Sequence, residues 1–195
     1  MITLALAILL AGGLQSPTAS QAAAGPSDFD FLKGRWNVVY NNTAPGIPPN
    51  LKGAWVAEEQ ADGRVLYDEF RVFGPNGQTV TLGVTYRIFD HGRGRWDMRY
   101  AAVLAAPPGE AVRMPAQWAE LTAWRDGHDM CVDQVSAGRR LRIRYYNITP
   151  DHFSWKADVS TDGGKTWSVD QIKIEATRVK EPVAGGPPSP SVRSR

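Results

Sequence analysis

Apolar and polar residues alternate with a period of two along most of the chain. Val80, Leu82, Val84, Tyr86 and Ile88 fall on one side, and Thr79, Thr81, Gly83, Thr85 and Arg87 on the other. That period is the mark of a β-strand. Similar alternation, or enrichment in β-branched and aromatic residues, covers 36–42, 53–60, 64–73, 95–103, 117–125, 129–135, 139–147, 152–160 and 167–178. Roughly ten strands are predicted.

Turn chemistry separates them: Ala61-Asp62-Gly63, Gly74-Pro75-Asn76-Gly77, Asp90 to Gly94, Asp126-Gly127, Ala137-Gly138, Thr149-Pro150-Asp151 and Asp162-Gly163-Gly164. Each supplies Gly, Pro or Asp where the backbone reverses, and most spacings suit hairpins. The exception is 105–115, which contains Pro107-Pro108-Gly109 and predicts a longer connection. A single short helical turn is expected at Asp28–Leu32, capped by Ser27 or Asp28. Consecutive antiparallel strands leave two unpaired edges, and closure into an up-and-down barrel removes both. The predicted fold is all-β, a single antiparallel barrel of roughly ten strands. Alternation shows that two faces differ without saying which is interior.

Residues 1–24 read as a signal peptide: an apolar run Leu4–Ala11, then small residues ending Ala22-Ala23-Ala24. The run is too short to span a bilayer. A periplasmic or secreted protein without stable membrane insertion is expected. Residues 25–180 form the barrel domain, and 181–195, rich in Pro, Gly and Ser, read as a disordered tail. With 22 basic and 20 acidic residues the net charge is +2, which argues against a nucleic-acid partner. Cys131 is the one cysteine, so no intrachain disulfide forms, and a buried, inert thiol is expected.

The first strand is entered by Phe29-x-Phe31-Leu32-x-Gly34-x-Trp36. There follow Arg87-Ile88-Phe89-Asp90 with Trp96, Ile148-Thr149-Pro150-Asp151 with Trp155, Asp162-Gly163-Gly164-Lys165-Thr166-Trp167, and Arg178. Gly34-x-Trp36 resembles the opening motif of lipocalins and calycins, and the order of all these pieces is similar to the DUF1579 type of uncharacterised bacterial proteins. The resemblance implies a calycin-like barrel with no established activity, in which Arg178 packs over Trp36. Gly34, Trp36, Asp162, Gly164, Trp167 and Arg178 are therefore read as structural. The octapeptide Ser160–Trp167 also fits the S-x-D-x-G-x-x-W hairpin of sialidase propellers. A propeller needs several copies, and one copy makes it a turn.

Candidate chemistry is sparse. No G-x-S-x-G elbow occurs, His91, His128 and His152 lie at unrelated spacings beside turns, and no catalytic residue or metal ligand is assigned. No cofactor is expected. The leading reading is an exported barrel that binds a partly hydrophobic small molecule with a polar or anionic end. Arg87, Trp96, Arg99, Tyr100, Arg142, Arg144, Tyr146 and Trp155 are its candidate ligand-binding residues. In the stretch 139–146, Arg140, Arg142, Arg144 and Tyr146 share one side of a strand and Leu141, Ile143 and Tyr145 the other. Either a solvated arginine face or guanidiniums inside a cavity fits that pattern. The alternatives are a cofactor-independent isomerase or hydratase, which needs an inward carboxylate such as Glu69 or Glu120, and a nitrobindin-like barrel holding haem through one histidine. Asp68 is a further carboxylate to which spacing assigns no role.

Overall fold

The computed structural model describes residues 24–103 and 118–180. The expected export segment apart from Ala24, the tail 181–195 and the connection 105–115 lie outside them. A 3-10 turn at Asp30–Leu32 precedes ten strands: β1 (Gly34–Asn42), β2 (Leu51–Gln60), β3 (Val65–Phe73), β4 (Thr79–Asp90), β5 (Arg95–Val103), β6 (Ala119–Asp126), β7 (Asp129–Ser136), β8 (Arg139–Tyr146), β9 (His152–Ser160) and β10 (Ser168–Arg178). Each pairs antiparallel with its neighbours in sequence, and β10 returns to β1. The result is a closed, up-and-down, ten-strand barrel, in which every strand has a hydrogen-bonded neighbour on both sides.

Residues registered opposite each other share a face, so the interior can be followed around the wall. Trp36 and Val38 of β1 are buried, and their partners Trp55, Gly53, Arg178 and Ala176 face inward with them. The same rule carries Trp55 to Phe70, Phe70 to Gly83, and Asp68 through Thr85 to Tyr100. On β4 it therefore turns the Thr81, Gly83, Thr85 and Arg87 side inward. The apolar side faces out, with Val80, Tyr86 and Ile88 each more than two-fifths exposed.

One end of the barrel is plugged by the residues that precede β1. Phe29 packs edge-on against Trp96, with ring centroids 5.1 Å apart, and Phe31 against Phe153 at 5.6 Å. Asp28 does not cap the 3-10 turn, which has no side-chain cap. Its buried carboxylate instead accepts from Arg125 of β6, at 2.7 and 3.0 Å, and pins the plug to the wall.

Arg178 locks this end. Its guanidinium lies 4.0 Å from the Trp36 ring and donates to the carbonyls of Phe31, Lys33 and Pro150. Trp36 donates its indole N–H to Leu32 O at 2.8 Å. Gly34 holds φ +107°, and a Cβ there would come within 2.7 Å of the Arg178 guanidinium. A glycine is thus required twice, by backbone conformation and by the space the cation fills.

The Ser160–Trp167 loop lies at the opposite end, joining β9 to β10. Asp162 organises it by accepting from the amides of Lys165 and Thr166 and from the hydroxyls of Ser160 and Thr166. Trp167 closes the loop on Gly164 O and lies under Arg142, 4.0 Å away on the outer wall. Those donors, led by the Thr166 amide, hold the Asp162 carboxyl far below the usual carboxylate range. A depressed pKa means that its contribution is complete above the unfolded value and is lost as pH falls through the folded one. Asp162→Asn is expected to lower hydrogen-exchange protection at the Thr166 amide at neutral pH. The difference from the native protein should shrink as pH drops below the ordinary carboxylate range; a constant difference would contradict the assignment.

Candidate functional site

Among the described residues, one charge pair has both side chains buried in the barrel interior. Asp68 of β3 and Arg87 of β4 are 1% and 2% exposed, and the Asp68 carboxylate meets Arg87 Nη1 directly. Asp68 Oδ1 accepts from the Trp55 indole N–H at 3.0 Å, and Arg87 Nη2 reaches the Tyr145 hydroxyl at 3.4 Å. The guanidinium carbon stands 5.0 Å from the Phe29 ring. Burial pulls the Arg87 pKa down and Tyr145 opposes it; an arginine starts so far above neutrality that it stays cationic.

The pair is incompletely satisfied. Arg87 Nε is buried without a hydrogen-bond partner. A buried donor left in this state costs about 1–3 kcal/mol, and more when charged. The Arg87 floor, next to the plug, therefore holds unused hydrogen-bonding capacity in aromatic surroundings: Phe29 and Tyr145 contact Arg87, and Trp55 contacts its partner Asp68.

Toward the far end the inward face is more open to solvent. Tyr40, Phe70 and Tyr100 face inward by register yet remain partly exposed, and inward Ala102 is exposed. Gly83 leaves the room that the Tyr100 ring uses: a Cβ would lie 2.6 Å from it. Burial raises the pKa of both tyrosines, which keeps them neutral phenols able to donate and accept. Arg139, at the start of β8, shares the inward side with Leu141 and Ile143 and lowers both tyrosines in turn.

Among the candidate ligand-binding residues, Arg87, Trp96, Tyr100 and Trp155 lie inside. Trp155 is buried beside Tyr145, while Trp96 belongs to the plugged end and donates to Gly25 O at 3.2 Å. Arg99, Arg142, Arg144 and Tyr146 lie on the outer wall, so for Arg142 and Arg144 the solvated arginine face is the alternative that holds, and these four candidates do not line the lumen. The cause is register: Leu141, Ile143 and Tyr145 take the inward side of β8. Arg99 stands 3.5 Å from outward Glu120, and Arg144 binds Asp126 and Asp129, each at 2.7 Å.

Glu69 is outward too, paired with Arg71. The two carboxylates named for the enzyme reading, Glu69 and Glu120, therefore both lie outside the lumen, and the inward carboxylate is Asp68, paired with Arg87. No histidine reaches the lumen: His91 and His128 sit in turns at the plugged end, and His152 pairs with Glu175 outside. The haem alternative thus has no ligand there. Cys131 is buried on the outward side of β7 between Trp124 and Arg144, and burial pushes its thiol pKa up.

Sequence reasoning gave Asp68 no role and missed Trp55 and Tyr145. One signal could have found the acid: Leu66, Asp68, Phe70 and Val72 form a period-two face whose one polar member is Asp68. An acid on an otherwise apolar face needs a partner, and the inward face of β4 supplies one basic residue, Arg87.

These features define a calycin-like, closed ten-strand barrel with a polar floor in an aromatic lumen. Its fold is similar to that of the S-type phycobiliprotein lyase CPES from Guillardia theta, with TM-score 0.53 and 12% identity over 79% of this chain and 92% of that one. A DUF3598-family protein of unknown function from Nostoc punctiforme aligns at TM-score 0.26 and 8% identity, over 83% of this chain and 100% of that one, too weakly to support an argument. No family model and no curated protein matches the chain.

Proposed function

We propose that the protein is a binding barrel that takes a small, partly hydrophobic molecule into its lumen, polar end toward Arg87. The observation that carries this reading is the buried Arg87 with its unpartnered Nε at the foot of an aromatic interior whose far-end residues Tyr40, Phe70 and Tyr100 are partly exposed. Evolution toward stability alone favours apolar residues at such a place, because a buried ion pair returns little of its desolvation cost. The likeness to the lyase concerns the fold alone.

Kinship with the DUF1579 type is part of the same proposal and rests on the order of the Gly34, Trp36, Asp162, Trp167 and Arg178 motifs. So is export to the periplasm or outside the cell, supported by the apolar run at Leu4–Ala11.

Trp55 and Trp155 lie within the lumen and report occupancy. Titration with the primary amide of parinaric acid, a conjugated C18 chain, is expected to quench tryptophan emission saturably and to raise Tm. Both signals should disappear in a Gly83→Leu variant, whose side chain would invade the space beside Tyr100. Quenching that persists unchanged in a folded variant would place the probe outside the lumen and overturn the reading.

A further inference from the structure

We infer that the lumen floor selects a neutral head group that accepts and donates hydrogen bonds, such as a primary amide or lactam, over a carboxylate. The inference rests on the lumen-binding reading above and goes on to the chemistry of the ligand.

Arg87 alone would call for an anion. It is not alone: Asp68, equally buried, sits against its Nη1, so the floor carries no net charge. A carboxylate brought to Arg87 Nε would leave water and approach Asp68 in a low-dielectric interior, where like charges repel strongly. A carbonyl oxygen accepts from the same Nε without that repulsion. An adjacent N–H then has two acceptors nearby, the Asp68 carboxylate and the Tyr145 hydroxyl, both of which already meet Arg87.

The other inward cations do not change this balance at the floor. Arg125 is committed to Asp28, and Arg178 to three backbone carbonyls at the plug. Arg139 is at the far end, by Tyr40 and Tyr100, and would hold an acid inserted in the reverse direction.

The test therefore uses Arg139→Gln, a substitution at the exposed first residue of β8 that is expected to leave the barrel intact. Parinaric acid and its primary amide are titrated at pH 8, where the acid is ionised, with tryptophan quenching as the readout. The amide is expected to bind at least about tenfold more tightly, a difference of about 1.4 kcal/mol. Adding Asp68→Asn, which leaves Arg87 uncompensated, should reverse the order. An acid that binds as tightly as the amide with Asp68 present overturns the head-group inference while leaving lumen binding standing. If neither probe binds, both fall. The comparison with Asp68 present decides the matter even if the added substitution weakens folding.

Discussion

Asp68→Leu is expected to lower unfolding free energy by about 3–5 kcal/mol, because it leaves Arg87 charged and unpaired inside the barrel. Arg87→Met should do the same by stranding the Asp68 carboxylate. The double substitution is the informative one. With both charges gone, the desolvation penalty goes with them, and apolar side chains fill a space already bordered by Phe29, Trp55 and Tyr145. Two costs persist, since the Trp55 indole loses its acceptor and the buried Tyr145 hydroxyl loses the Arg87 donor, each at about 1–3 kcal/mol. The double variant should thus be more stable than either single variant, because removal of the desolvation penalty offsets part of those two losses. It should nevertheless fail to quench with the amide probe. A pair kept for its net stabilisation would show another pattern: a double variant no more stable than the single ones, with binding of the amide probe unaffected.

The second large effect is at the plug. Arg178→Ala removes a cation from the Trp36 face and leaves three carbonyls without their donor. Hydrogen bonds to a charged group contribute about 1.5–3 kcal/mol each when well buried. Arg178 is only half-buried, so a total loss of roughly 2–4 kcal/mol is expected. At about 2–4 °C per kcal/mol, thermal denaturation should show it clearly. Gly34→Ala should reach part of the same loss by another route, forcing a Cβ toward the guanidinium at a positive φ. Denaturation of the pair of variants and their combination separates the two: if Arg178 is the cause of the crowding, the loss from Gly34→Ala shrinks once Arg178 is alanine.

The fold was legible because a period of two repeated between turn signals leaves few architectures open, and closure follows from the need to hide edges. The ends of the barrel were legible through Gly34, Trp36 and Arg178, whose roles depend on one short motif and one residue on the last strand. The lumen was harder. On β4 the apolar row Val80, Leu82, Val84, Tyr86, Ile88 suggests a core face, yet the Thr85 and Arg87 side is the one that points inward. Register decides this, because Arg87 lies opposite inward Leu66 and Met98. Register is a long-range property that a local pattern does not carry. The arginines of β8 show the converse: Arg142 and Arg144 are conspicuous in composition but are outward, held by Trp167 and by aspartates. Asp68 needed two strands to be read together, since its meaning comes from Arg87 across the β3–β4 hairpin.

The central claim is that a ligand's polar end meets Arg87 at the floor of the lumen, and the Arg87 Nε–H tests it most directly. A buried guanidinium exchanges slowly enough for its Nε–H to be observed by 15N-edited NMR, and the resonance is assigned by its loss in Arg87→Met. Titration with parinaric amide should shift that resonance saturably, at the same concentrations that quench tryptophan. A saturable quench with no movement of the Arg87 Nε–H signal would contradict the account.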